Sequence, residues 1–333
     1  LLDERRGFPP PTDFARDARF VQMLVQEARI HASLSHRNIV QIHDLGISEE
    51  GEYFIVLEYV DGRDLGALLD VVHRAPPPDD RLHDALALYV AIELAEGVHC
   101  AHELLGPDGK PAGLVHRDIS PSNVLLSYAG EVKLLDFGLA KRRTDHSVVG
   151  TLKGKFAYMS PEQARRWALD RRSDIFALGA VLFEMLTGRR LREITNEVEG
   201  WRIVASGVIP TPRSVRPDIP VVLEQLLAGA IAPDARDRFP DARTFANAAR
   251  QALEQLPRPK QGEAAALQEL LRDRLPPGAK GPPRETSRVI RLVSEFLPKV
   301  STQTVRPPPG MTPARFATPP PPIPLAARAK KPT

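Results

Sequence analysis

An α+β fold in two unequal parts is what the sequence predicts, and three observations carry it. Residues 39–45 and 53–59 alternate as strands on either side of the turn Glu49-Glu50-Gly51-Glu52. A second short pair, 124–126 and 132–135, flanks turn residues Tyr128 to Gly130. Residues 175–186 are apolar on almost every side, which places that helix at the centre of a helical body.

Composition sets the outer bounds. The chain has 333 residues, enough for one large domain and a tail or for two modest domains. Apolar residues make up 42%, which can fill a core. The formal net charge is +3, with Lys and Arg dispersed, so no nucleic-acid partner is expected. Cys100 is the single cysteine. It excludes an intrachain disulfide framework and fits a reducing, cytoplasmic compartment. No apolar run reaches membrane-spanning length and no signal peptide is visible. No membrane segment is therefore expected within these residues, and attachment through a segment outside them stays open. Because the chain starts at Leu1 and not Met, it is expected to be a fragment of a longer parent.

Residues 1–17 are charged and broken by proline. Asp17 can cap a helix to about residue 33, with Phe20, Met23, Leu24, Ala28 and Ile30 on its apolar face. Glu27 shares that face, and on residues alone it is a snorkelling edge glutamate. Residues 65–73 form a short helix, ended by 75–78. Asp84 can cap a longer helix to about residue 104, striped by Leu88, Ile92, Ala95 and Val98. His99 and His102 could share a helix face as metal ligands, but no fourth ligand follows, and packing is the preferred reading. Asp174 is expected to cap the central helix, and 221–227 and 242–256 supply further helices. After Pro257 the composition shifts. Residues 263–275 and 287–296 read as short amphipathic helices separated by 276–283. From Pro307 proline runs resist a compact core.

The stretch from Leu114 to Gly138 carries the chemistry. It contains His116-Arg117-Asp118-Ile119-Ser120-Pro121-Ser122-Asn123, a hairpin, and then Asp136-Phe137-Gly138. The hairpin would bring Asn123 near Asp136, with Asp118 one loop away. Oxygen ligands so grouped can hold a divalent cation and leave one carboxylate to orient a hydroxyl.

These residues resemble the catalytic core of bacterial eukaryotic-like (Hanks-type) serine/threonine protein kinases. His116-Arg117-Asp118 matches the catalytic loop, with Asn123 at the expected offset. Asp136-Phe137-Gly138 matches the metal-binding motif, and Ser160-Pro161-Glu162 the motif that closes the activation segment. The resemblance covers residues 1–256. It implies a bilobal kinase-like fold with a complete helical lobe and an incomplete β-lobe. No lysine occurs before Lys110, and no Gly-rich loop precedes Glu27, the residue the family pairs with a nucleotide-positioning lysine. The remaining residues divide into a linker with short helices, 257–306, and a proline-rich disordered tail, 307–333.

The resemblance also implies roles. Leu57 would be the gatekeeper, with Glu58 and Val60 offering backbone groups to adenine. The same positions read on their own as a surface strand ending in an Asp-Gly turn. Asp118 would orient the substrate hydroxyl, and Asn123 and Asp136 would ligate Mg2+, with Mn2+ as the alternative. Ser120 stands where the family usually carries a lysine that contacts the transferred phosphate. Lys153 or Lys155 can compensate, unless a subgroup works without that charge. Arg117 would meet a phosphorylated activation segment at Thr144, Ser147 or Thr151, or else pair with a local carboxylate. Glu162 would pair with Arg238, and Asp174 would receive hydrogen bonds from the catalytic-loop backbone. The implied activity is transfer of the ATP γ-phosphate to serine or threonine of protein substrates in signalling. The alternative is a pseudokinase or interaction scaffold, motivated by Ser120 and by a tail suited to a partner.

Residues 1–333 alone are expected to bind Mg-ATP weakly and to transfer little phosphate, because the roof and the lysine over the phosphates are missing. Turnover measured side by side with the longer parent checks this. Parent-like turnover from 1–333 would contradict it.

Overall fold

The computed structural model describes residues 33–47, 53–75, 81–106, 108–135, 154–194, 196–278 and 290–291. Glu27, Asp136, Thr144, Ser147, Thr151 and Lys153 lie outside the described residues, as do most of the expected 17–33 helix, the whole 49–52 turn and the proline-rich tail.

Two small sheets precede and flank a helical body. β1 (Ile42–Ile47) and β2 (Tyr53–Leu57) pair antiparallel, with a register shift between Ile42 and Asp44. β3 (Gly62–Asp64), β4 (Val124–Ser127) and β5 (Val132–Leu134) form the second sheet in that order. The segment Asn38–Val40 stitches onto β5. Leu134 N donates to Asn38 O at 2.8 Å and Val40 N to Leu134 O at 3.0 Å.

Asp64 caps α1 (Leu65–Val72) by accepting from Ala67 N at 2.9 Å. The next helix, α2 (Asp84–His102), corrects an expectation: its cap is His83, whose ring accepts from Ala85 N at 3.3 Å. Asp84 sits one position inside, and its carboxylate takes the Arg216 guanidinium at 2.5 and 3.1 Å. A short helix, α3 (Pro161–Ala164), precedes the central helix α4 (Arg172–Thr187). Every residue from Ser173 to Thr187 is buried, and Gly188 ends the helix at φ +68°. Asp174 therefore lies inside the first turn and caps nothing. The helix begins two residues earlier, where Asp170 accepts from Arg172 N at 2.8 Å.

Four helices complete the body: α5 (Glu197–Ser206), α6 (Pro212–Val215), α7 (Val221–Ile231) and α8 (Ala242–Glu254). α2 packs along α8, and α4 fills the space between α2 and α7. Phe176, Phe183 and Phe245 are fully buried in one continuous core. Burying such a side chain contributes on the order of 2 kcal/mol. Among the described residues no helix is long and apolar enough to cross a membrane.

Past the expected domain end, α9 (Glu263–Arg274) joins the same core through Leu267 and Leu271. It lies against the β4–β5 turn: Tyr128 Oη donates to Leu275 O at 2.6 Å and Gln268 Nε2 to Tyr128 O at 2.7 Å. The helix expected at 287–296 is not what the described part shows. Ile290–Arg291 forms β6, a two-residue strand beside β2. Ile290 pairs with Ile55, so an available sheet edge outcompetes the weak helical pattern there.

Gly130 sets the closeness of the α9 contact. It has φ +85°, and a Cβ there would lie 2.4 Å from Ala264 O. Gly130→Ala is expected to destabilise the protein by at least about 2 kcal/mol, since the left-handed backbone alone costs a non-glycine residue roughly 1–2 kcal/mol. Urea unfolding followed by circular dichroism checks the loss.

Candidate active site

The catalytic loop hangs from helix α4. Asp174 is wholly buried and accepts from His116 N and Arg117 N, each at 2.8 Å. His102 Nε2 reaches the same carboxylate at 2.8 Å. Burial alone would raise the Asp174 pKa, but the hydrogen bond and charge of His102 and the backbone N–H groups hold it below the ordinary carboxylate value. Arg117 takes φ +65°, rare outside glycine, and its carbonyl accepts from Gln163 Nε2 at 2.9 Å. The loop is thus gripped from two sides at its one left-handed residue.

His116 ties the loop to the end of β5. Its Nδ1 accepts from Asp118 N at 3.3 Å, so its Nε2 carries the proton and donates to Leu135 O at 2.9 Å. Leu135 immediately precedes Asp136. On the other side Leu135 N donates to Asn123 O at 2.8 Å. The hairpin therefore brings Asn123, His116 and the residue before Asp136 together.

Asp118 ends this path. Asn123 Nδ2 donates to its carbonyl at 2.8 Å and to Oδ2 at 3.1 Å. Lys155 Nζ lies 2.8 Å from the same Oδ2. The Asp118 side chain is 12% exposed and that of Lys155 33%, so the pair sits at an open face. Asn123 spends its amide N–H groups on Asp118, which leaves Oδ1 as the kind of oxygen a hard cation takes. Among the described residues there is no ready group of three metal-ligating His, Cys, Asp or Glu side chains. Ser120 is buried, and its hydroxyl meets that of Ser122 at 3.1 Å.

Leu57 packs on a small cluster of Val40, Val60 and Leu135. Glu58 N donates to Gln41 O at 2.8 Å, which leaves its carbonyl, not its amide, to offer. Its side chain pairs with Lys133 Nζ at 2.7 Å. Glu162 and Arg238 meet in a two-point ion pair at 2.7 and 2.9 Å, with Ser173 Oγ donating to Glu162 at 2.8 Å. Burial raises the Glu162 pKa, but the Arg238 guanidinium outweighs it and holds the carboxyl below its ordinary value. Arg117 Nε is buried with no hydrogen-bond partner among the described residues.

Two contributors escaped the sequence reading. Gln163 was visible as the fourth residue of Ser160-x-x-Gln163, a capping spacing, and its Oε1 does accept from Ser160 N at 2.9 Å. His102 reads from sequence as a packing residue in preference to a metal ligand, and nothing local points to Asp174, 72 residues away. His99 instead accepts from Arg243 Nε at 2.9 Å.

Beside the Lys155 segment opens a cavity of about 500 Å3, lined by Gly154, Ala157, Glu184, Arg190 and Arg192 among others. Burial and the nearby Arg238 charge lower the Arg192 pKa to about 10, and burial raises that of Glu184.

The protein kinase domain family matches residues 13–251. Over 235 residues the chain is 45% identical to tyrosine-protein kinase MasK of Myxococcus xanthus (strain DK1622), covering 69% of this chain and 35% of that one. Over 232 residues it is 34% identical to serine/threonine-protein kinase PrkC of Bacillus subtilis (strain 168), covering 69% and 33%. The chain thus spans about a third of the length of these relatives. The crystal structure of the Mycobacterium tuberculosis PknI kinase domain superposes with a TM-score of 0.53 at 27% identity, covering 74% of this chain and 88% of that one.

The Glu162 carboxylate, held below its ordinary value of 4.5, stabilises the fold fully above that value and loses its contribution as pH falls through the lowered one. Glu162→Gln leaves Arg238 buried without its counter-charge and is expected to cost roughly 3–5 kcal/mol at neutral pH. Its stability should also fall less steeply than the wild type's below about pH 4.5. Urea unfolding at a series of pH values measures both.

Proposed function

The chain belongs to the protein kinase domain family, and from that we propose that the protein transfers the γ-phosphate of ATP to serine or threonine hydroxyls of protein substrates. The observation that supports this best is the Asp118 carboxylate, presented by a loop clamped on Asp174 and steadied by Asn123. A carboxylate so held can orient the acceptor hydroxyl and take its proton as the new P–O bond forms and the bond to ADP breaks. Asn123 and Asp136 would hold Mg2+, or Mn2+, which offsets phosphate charge when bound. The base of ATP would lie against Leu57, the Glu58 carbonyl and Val60, with Glu27 as the glutamate that pairs with a nucleotide-positioning lysine in this family.

Arg117 has a partner in waiting under this reading. Its buried, unpartnered Nε fits a phosphate placed by Thr144, Ser147 or Thr151 of the activation segment. A cytoplasmic setting agrees with the single cysteine, and the tail from Pro307 suits a partner that reads extended proline-rich chain.

Because one relative is named a tyrosine kinase and the other a serine/threonine kinase, the acceptor class is the point to test. Radioactive phosphate transfer by the full-length parent, followed by phosphoamino-acid analysis, is expected to show phosphoserine and phosphothreonine. Asp118→Asn should lower transfer at least about 100-fold with Mg-ATP binding kept. Label on tyrosine alone would overturn the specificity. No transfer with Mg2+ or Mn2+ would favour a scaffold.

A further inference from the structure

We propose that Lys155, carried by the segment that closes the activation loop, supplies the positive charge at the transferred phosphate where Ser120 supplies none. The inference rests on the kinase reading above and assigns a residue within it.

Three observations meet here. The Ser120 hydroxyl is turned into its own loop, 3.1 Å from that of Ser122, in a residue that is 4% exposed. It carries no charge. Lys155 Nζ lies 2.8 Å from Asp118 Oδ2, the oxygen that Asn123 also holds. An ammonium bonded to the base that orients the acceptor hydroxyl is next to the line along which phosphorus moves.

The third observation is that this lysine is held in place by its neighbours. Tyr158 N donates to Lys155 O at 3.1 Å, closing a turn over Phe156 and Ala157, which are both buried. Tyr158 Oη donates to Glu184 Oε2 at 2.5 Å on the central helix α4. Phe156 also packs edge-on against Trp201 at 5.2 Å between ring centroids. The backbone that carries Lys155 is therefore anchored on α4 and α5, while its amine reaches the open face.

The same contact would read differently if the ammonium merely locked Asp118. Removing the lysine would then raise turnover. The opposite direction is expected here, because a preorganised positive charge facing the transferred group accelerates the step and does little for ground-state ATP.

The test uses the full-length parent with the variants Lys155→Met, Lys155→Arg, Ser120→Lys and Ser120→Lys/Lys155→Met. Lys155→Met is expected to lower kcat about 100-fold or more, with KM for ATP and Mg-ATP affinity changed by less than about threefold. Lys155→Arg should stay within about tenfold of wild type, since it keeps the charge. The double variant should recover at least tenfold over Lys155→Met, because a lysine returns to the catalytic loop. Unchanged or raised kcat in Lys155→Met overturns the inference. So does an absence of recovery in the double variant, or a loss in Lys155→Arg as large as in Lys155→Met. An active wild type with any of these outcomes leaves the kinase reading standing. A wild type that transfers no phosphate removes both.

Discussion

Asp174 is a carboxylate with no solvent, and the catalytic loop is built on it. It stands in the first turn of a helix that is buried from Ser173 to Thr187. Its two oxygens take the amides of His116 and Arg117 and the ring of His102. Such a group is tolerated in a core only when its hydrogen-bonding capacity is met. The neighbours that meet it are the backbone atoms leading into Asp118. The arrangement is thus reciprocal: the loop solvates the aspartate, and the aspartate sets the loop. Without it two buried N–H groups would go unpaired, at roughly 1–3 kcal/mol each. The left-handed Arg117 would lose the restraint that makes its conformation affordable.

The second constraint runs through Glu162 and Arg238. Arg238 has no exposed side-chain surface and lies over the Phe176 ring at 4.9 Å. Its Nε is taken by Ala232 O at 2.7 Å, so its donors are shared between the carboxylate and carbonyls at the end of α7. The segment that begins with Gly154 is held on one side by this pair through α3 and on the other by Tyr158 and Glu184. Both anchor points include α4 residues: Phe176 and Ser173 for the first, Glu184 for the second. One helix therefore holds the catalytic loop near its start and the closing segment along its length. That is why Asp118 and Lys155, 37 residues apart, can meet at 2.8 Å.

Much of this was legible in the sequence, for identifiable reasons. The central helix announced itself by apolarity on all sides, and the hairpin by two short apolar runs around a turn. Asp118, Asn123, Glu162, Arg238 and Asp174 were named through the resemblance to the family motifs, and the described contacts bring Asn123 to Asp118 and Arg238 to Glu162. What spacing could not give was side-chain choice across long separations. His102 reads as a packing residue, and it is buried, but its hydrogen-bond partner Asp174 lies on another helix and leaves no local signal. Asp84 and Asp174 looked like caps because an aspartate at a helix start usually is one. In both, a stronger partner from elsewhere took the carboxylate. Lys155 was one of two lysines the sequence offered, and Lys153 lies outside the described residues. The short strand at Ile290–Arg291 went unforeseen because two residues of pairing leave no periodic signal.

The turn between β4 and β5 has a mechanical meaning. Tyr128 is held through its hydroxyl by Leu275 and through its carbonyl by Gln268, and Gly130 O accepts from Tyr89 on α2 at 3.0 Å. Force applied at Leu275 would load this turn through the Tyr128 hydroxyl, alongside the core contacts of α9. From there it passes along β4, a strand of four residues that begins directly after Asn123. A load on Leu275 would thus be felt at a turn separated only by β4 from Asn123, the side chain that steadies Asp118.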